Sequence, residues 1–271
     1  MMWQPQTFAL KARRLPGFDN AARRMREMRT EMGRRTTLAR QPQPEGVTAP
    51  RIGLLLGELT TAADIWRARR DAEPPARGEA ARTVMLLPGF GTHPFRMRAL
   101  RHGLTAAGHE VIDWGEGFNL GASAELFDRV CGRVERAAQA AGAPIALVGW
   151  SLGGLFAREA AKRRPDAVDL VVTMGTPFSG DLHANNAWRA YHWIAGHDVT
   201  EPPIGGDFSA KPPARTVAMW SPRDGIVAPR SAAGRPGERD AAIALRCTHL
   251  GFASHPAVLS RLVAELDGSA L

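Results

Sequence analysis

Residues 144–164, PIALVGWSLGGLFAREAAKRR, carry the reading that decides the fold. The first six are apolar without alternation, as in a strand buried on both faces, and the stretch from Leu152 onward reads as a helix. Between them stands Gly149-Trp150-Ser151-Leu152-Gly153, a Gly-x-Ser-x-Gly sequence at a strand-to-helix turn. So sharp a turn forces Ser151 into a strained backbone conformation. Glycines at 149 and 153 remove side chains that would clash as strand and helix close on each other. The hydroxyl then points into open space at a helix N-terminus, which favours negative charge. The bare pentapeptide also occurs as a structural Gly-rich turn; the flanking strand and helix favour a nucleophile at Ser151.

The same rhythm extends both ways. Apolar runs at 83–87 (TVMLL), 110–114 (EVIDW), 168–174 (VDLVVTM), 215–220 (RTVAMW) and 242–247 (AIALRC) read as strands, with helical stretches at 94–107, 123–141 and 256–267. Alternating strands and helices imply an α/β fold with a mostly parallel, doubly wound sheet whose sites lie at the carboxyl ends of the strands. Residues 178–214 break the rhythm. They hold Phe178, Trp188, Tyr191 and Trp193 and end in Pro/Gly-rich sequence. They are expected to form a small helical cap, with these aromatics and Trp150 bordering an apolar substrate pocket.

A serine hydroxyl is protonated at neutral pH and needs an adjacent base. Of the histidines after Ser151, His249 alone directly follows the last strand, and His255 is the runner-up. Asp224, in Ser221-Pro222-Arg223-Asp224-Gly225, stands just past the strand RTVAMW and suits the acid that orients the base. Asp-Gly is also an ordinary turn pair, and both roles are compatible. Asp198 and Asp207 are alternatives within the cap. An oxyanion needs two aimed backbone N–H groups. Leu152 supplies one and Phe90, in Leu86-Leu87-Pro88-Gly89-Phe90-Gly91, the other.

The 271 residues suit one α/β domain with an N-terminal extension. Three parts are expected: a basic extension with a helix and a Pro-rich linker (1–50), an accessory helix and linker (51–82), and the α/β domain (83–271). The formal charge of +8 is concentrated at the start, where residues 1–40 hold ten Lys or Arg against three acids. That stretch contains a helical segment at 19–32, capped by Asp19 or Asn20, with Met25, Met28 and Met32 near helical spacing. Such a stripe packs more often on the protein's own body, and a weak peripheral membrane contact through residues 1–40 stays open. No nucleic-acid fold signature accompanies the arm, so no obligatory nucleic-acid partner is expected. In residues 51–70, Leu54, Leu55, Leu56, Ala62 and Ile65 are expected to supply an apolar face. Cys131 and Cys247 form neither a disulfide framework nor a zinc cluster. Without a visible signal or a long apolar run, a soluble cytoplasmic location is expected.

LLPGF, GWSLGG, MGTPF, SPRDGIV and THLGF, in that order, together with GFNLG at 117–121, resemble the bacterial α/β-hydrolases related to lipases and esterases. The resemblance covers about residues 83–267. It implies the α/β-hydrolase fold, the triad Ser151, Asp224 and His249, and hydrolysis of a small-molecule carboxylic ester without metal or organic cofactor. Acyl transfer or thioester cleavage by the same triad, a non-catalytic binding protein on the same scaffold, and docking through the basic arm are the alternatives. The sequence leaves oligomeric state open.

Overall fold

A computed structural model describes residues 16–70, 72 and 81–268. The first part of the basic arm and most of the boundary expected over 71–82 lie outside the described residues. Among the described residues three helices precede the sheet: α1 (Pro16–Ala39), α2 (Ile52–Gly57) and α3 (Thr61–Arg70), the last two joined by a 3₁₀ turn at Glu58–Thr60. There follow β1 (Thr83–Leu87), α4 (Arg98–Ala106), β2 (Glu110–Asp113), α5 (Ala124–Ala141), β3 (Ile145–Trp150), α6 (Leu152–Arg163) and β4 (Val168–Met174). The chain continues through α7 (Trp188–Ala195), β5 (Arg215–Trp220), α8 (Pro229–Ala233), β6 (Ala241–Ala244) and α9 (Pro256–Leu266).

The six strands pair in parallel in the order β2-β1-β3-β4-β5-β6. Successive strand residues face opposite layers, as the two-residue period requires. Met85, Leu87, Ile145 and Leu147 pack with Phe127 and Val130 of α5 and with Leu155 and Phe156 of α6. Val84, Leu86, Ala146 and Val148 pack with Leu100 and Leu104 of α4 and with Val258 and Leu262 of α9. The strand order reverses between β1 and β3, so the loops leaving these strands diverge and open a crevice at their carboxyl ends.

The N-terminal helices depart from expectation in three ways. The first helix runs from Pro16 to Ala39, so positions 19 and 20 lie inside it and not at its cap. Its methionine stripe does not pack on the body: Met25, Met28 and Met32 are 56%, 59% and 52% exposed. The helix docks by its C-terminal half instead. Arg34 donates to the Gly196 carbonyl (2.7 Å) and Arg35 to the Ile194 carbonyl (2.8 Å), capping the carbonyls that α7 leaves unpaired at its end. Third, the expected apolar face of 51–70 is largely on the outside. Leu55, Leu56 and Ala62 are exposed, whereas Glu58 and Thr61 are buried. No described helix is long and apolar enough to cross a membrane.

The segment 178–214 lies between β4 and β5 and contains α7. Arg158 of α6, fully buried, fixes its far end. Its guanidinium donates to the carbonyls of Phe208 (2.9 Å), Ser209 (3.1 Å), Ala210 (3.1 Å) and Glu238 (3.0 Å) and lies 4.1 Å over the Phe178 ring. Arg158→Met strands these carbonyls without donors. It is expected to lower unfolding free energy by about 3 kcal/mol, read by urea denaturation; a loss below about 0.5 kcal/mol would contradict this account of the anchor.

Candidate active site

Ser151 follows β3 directly and precedes the first residue of α6. It has φ 54° and ψ −122°, and it is the one non-glycine with positive φ among the described residues. The turn is possible because its neighbours lack side chains. A Cβ at 149 would overlap the Gly153 carbonyl, one at 153 would overlap the Leu87 carbonyl, and one at 154 would overlap the Thr176 hydroxyl. The Ser151 N–H donates to the Met174 carbonyl (2.9 Å) and the Thr176 hydroxyl to the Ser151 carbonyl (2.9 Å), which pins the strained residue to the end of β4.

Asp224 and His249 meet in the interior. His249 Nδ1 lies 2.8 Å from Asp224 Oδ2, with Asp224 fully buried and His249 nearly so. A carboxylate only accepts, so the ring nitrogen donates, and Nε2 is left as the free acceptor. The other carboxylate oxygen accepts the N–H groups of Ile226 (2.9 Å) and Val227 (2.7 Å). The Asp-Gly turn and the acid are thus one structure. Burial alone would push the His249 pKa down. The charge and hydrogen bond of Asp224, then the charge of Glu58, outweigh it and hold the pKa above the ordinary value of 6.5.

Two contacts bring this pair to the serine turn. The Trp150 indole N–H donates to the His249 carbonyl at 3.1 Å. Gly175, next to the Met174 that accepts from Ser151, touches both members: a Cβ there would sit 3.0 Å from Asp224 Oδ2 and 3.0 Å from His249 Nδ1. Among the described residues the Ser151 hydroxyl is in no hydrogen bond, to His249 or to any other group. His255, the runner-up base, caps α9 by accepting from the Ala257 N–H (3.2 Å) and among the described residues faces no carboxylate at bonding distance.

The loop after β1 is held by a residue that sequence reasoning missed. Asn119, fully buried, donates from Nδ2 to the Pro88 carbonyl (2.8 Å), and its backbone carbonyl accepts from the Gly91 N–H (2.7 Å). These bonds bracket Phe90, whose own N–H meets no protein acceptor among the described residues. Leu152 is the first residue of α6, where a helix leaves its N–H unpaired. The motif GFNLG contains Asn119, but nothing in its pattern marks the asparagine as the brace of another loop. A second missed residue, Glu58, reaches the acid and base loops from the accessory segment.

Beside Ser151 lies a small, mostly apolar cavity of about 50 Å³, bordered by Phe90, Leu152, Leu155, Trp188, Tyr191 and Val227 among others. Of the aromatics expected at a pocket, Trp188 and Tyr191 line it. Trp150 is buried between Gly89 and His249, Phe178 is buried under Arg158, and Trp193 is 48% exposed. A larger open cleft of about 480 Å³ is lined by Glu135, Pro144, Arg163 and Pro165, at the amino ends of β3 and β4. It is remote from the carboxyl-end crevice where sheets of this type bind ligands.

Among the described residues, His183, His192 and Asp198 are the group whose donor atoms gather as metal ligands do, all within 4.8 Å of one another. His192 is committed elsewhere. Its Nδ1 lies 3.3 Å from the Leu38 carbonyl, and its Nε2 accepts the Val199 N–H at 2.9 Å, so both ring nitrogens already join α1 to the cap. Asp198, one of the alternative acids, accepts from Thr200 here, and Asp207, the other, accepts from Ser209. Neither meets His249.

Positive φ at a non-glycine costs about 1–3 kcal/mol. Ser151→Gly is therefore expected to raise unfolding free energy by about 1 kcal/mol relative to Ser151→Ala, measured by urea denaturation; equal stabilities would show that the turn stores no strain.

No protein-family profile matches the chain, and no curated protein matches it. Its structure is similar to those of Aspergillus fumigatus lipase B and of one of two metagenome-derived lipolytic enzymes, LipS and LipT. The first has a TM-score of 0.51 at 19% identity, over 75% of this chain and 59% of that one. The second has a TM-score of 0.54 at 14% identity, over 71% and 96%. The chain thus spans 59% of the length of that lipase B. With six parallel strands flanked by helices, a serine at the sharp turn after β3, and these structural neighbours, the chain has the α/β-hydrolase fold.

Proposed function

We propose that the protein is a serine hydrolase that cleaves carboxylic esters with apolar acyl groups through an acyl-enzyme. The observation that supports this reading is the buried Asp224–His249 hydrogen bond, whose loops are tied to the strained serine turn through the Trp150 indole and Gly175. His249 Nε2 takes the Ser151 proton as the oxygen attacks the ester carbonyl, while Asp224 stabilises the imidazolium that forms. The oxyanion lies on the N–H groups of Phe90 and Leu152. The alcohol leaves with the proton from His249, and water, activated by the same ring, releases the acid.

The lining of Trp188, Tyr191, Leu155 and Val227 suits a hydrocarbon acyl chain. At about 50 Å³ the cavity is far smaller than the roughly 300 Å³ at which ligand pockets begin, so the chain enters as the α7 segment draws back.

A series of p-nitrophenyl esters of increasing acyl length tests the reading. Wild type is expected to turn them over, and Ser151→Ala to lose about 10⁴-fold or more in kcat; turnover surviving the substitution would sink the assignment. His249 must be neutral to accept the proton, and its pKa is raised. Activity should therefore fall as pH drops through a value above 6.5, the ordinary histidine range. An acid limb below 6.5 in kcat/KM would contradict the described surroundings of His249.

A further inference from the structure

Glu58 stands in the 3₁₀ turn between α2 and α3, outside the α/β core, yet its carboxylate is buried between the two loops that carry Asp224 and His249. Oε1 accepts the N–H of Gly225 (2.9 Å) and the N–H of His249 (2.7 Å), and Oε2 accepts the N–H of Leu250 (2.9 Å). One carboxylate thus spans the residue after the acid, the base itself and the residue after the base. Two further contacts seat the same segment. The Thr61 and Thr248 hydroxyls lie 2.6 Å apart, and a Cβ at Gly225 would overlap the Leu54 carbonyl.

From this geometry we infer that Glu58 is a positioning residue of the catalytic site, a carboxylate supplied by the accessory segment that holds the acid loop and the base loop in register. The inference rests on the hydrolase reading above. A buried carboxylate with no cation partner among the described residues is a costly way to fasten two loops, since apolar packing would avoid its desolvation. It supplies what packing lacks: two acceptor oxygens for three backbone N–H groups, and a second negative charge beside the ring that becomes an imidazolium. The other ionisable groups near the junction are engaged or neutral. Arg223 pairs with Asp64 (2.8 Å), and Arg96 donates to the Leu250 carbonyl (3.4 Å). Burial pushes the Cys247 thiol pKa up and the His255 pKa down, so both are uncharged near neutral pH. Asp224 and Glu58 are the charges that hold the His249 pKa up against burial.

The test compares Glu58→Gln and Glu58→Asp with wild type in the full chain, by kcat and KM for a short p-nitrophenyl ester across pH and by NMR titration of the His249 ring. Glutamine offers one acceptor oxygen and no charge. Glu58→Gln is expected to lose roughly tenfold to a hundredfold in kcat with little change in KM, and both the acid limb and the His249 titration should move to lower pH. Aspartate keeps the charge but withdraws it by one methylene, so kcat should fall while the acid limb stays close to that of wild type. If Glu58→Gln does not fold, Glu58→Asp decides: unchanged kcat overturns the inference. Folded variants that are less heat-stable but keep wild-type kcat and an unmoved His249 titration also overturn it, because Glu58 is then structural only. If wild type itself neither turns over esters nor reacts with a fluorophosphonate, the hydrolase reading fails. The titration still decides whether Glu58 governs His249, and an unmoved value there overturns the inference separately.

Discussion

A carboxylate and an imidazole removed from water are stable together only when each lone pair and N–H between them has a partner. Asp224 meets this condition with three donors, two from the backbone of its own turn and one from His249. That satisfaction fixes the ring. With Nδ1 held as donor, Nε2 is the remaining basic nitrogen, and its direction follows from where the acid loop sits. The loops after β5 and β6 carry the pair, and β5 and β6 are neighbours in the sheet. The serine lies two strands from β5, about 10 Å at ordinary strand spacing, so the loops must lean across β4 to reach it. Gly175 at the end of β4 is what lets them: any side chain there would stand against both members of the pair.

The serine turn is governed by backbone approach. Glycines at 149, 153 and 154 allow β3, α6 and the neighbouring loops to come closer than any Cβ permits, and Ser151 absorbs the resulting strain. The same closeness sets the start of α6 beside the loop after β1, where Asn119 braces the carbonyl of Pro88 and the amide of Gly91. The cap lines the small cavity with Trp188 and Tyr191 and is tied down by polar bonds as well: the Tyr191 hydroxyl accepts from the Ala122 N–H (3.4 Å), and His192 Nδ1 lies 3.3 Å from the Leu38 carbonyl.

The sequence made the central sheet legible to within one to three residues at strand ends, because runs apolar on both faces have few other uses. β1, β4 and β5 lie where their composition places them. The last strand does not: the apolar run AIALRC places it over 242–247, but β6 covers 241–244. Among the described residues β6 is an edge strand paired with β5 alone, and its ladder stops at Trp220 and Ala244, after which the chain turns toward His249. The serine turn and the Asp224–His249 pair were also legible, through motif context and chain order. Glu58 and Asn119 were not. Both act through hydrogen bonds to backbone groups distant in sequence, and no periodicity encodes such a contact. The leucines around Glu58 are largely exposed, and the segment is fastened by an acid and a threonine instead. Likewise α1 binds through arginines that satisfy helix-end carbonyls while its methionines face solvent.

The account turns on whether Ser151 is made nucleophilic by the pair behind it. Treatment of wild type and His249→Ala with a fluorophosphonate, followed by intact mass and peptide mapping, measures that most directly. A single adduct on Ser151 in wild type, formed far more slowly in the variant, is the result expected. Absence of an adduct, an adduct on another residue, or equal rates in the two proteins would contradict it.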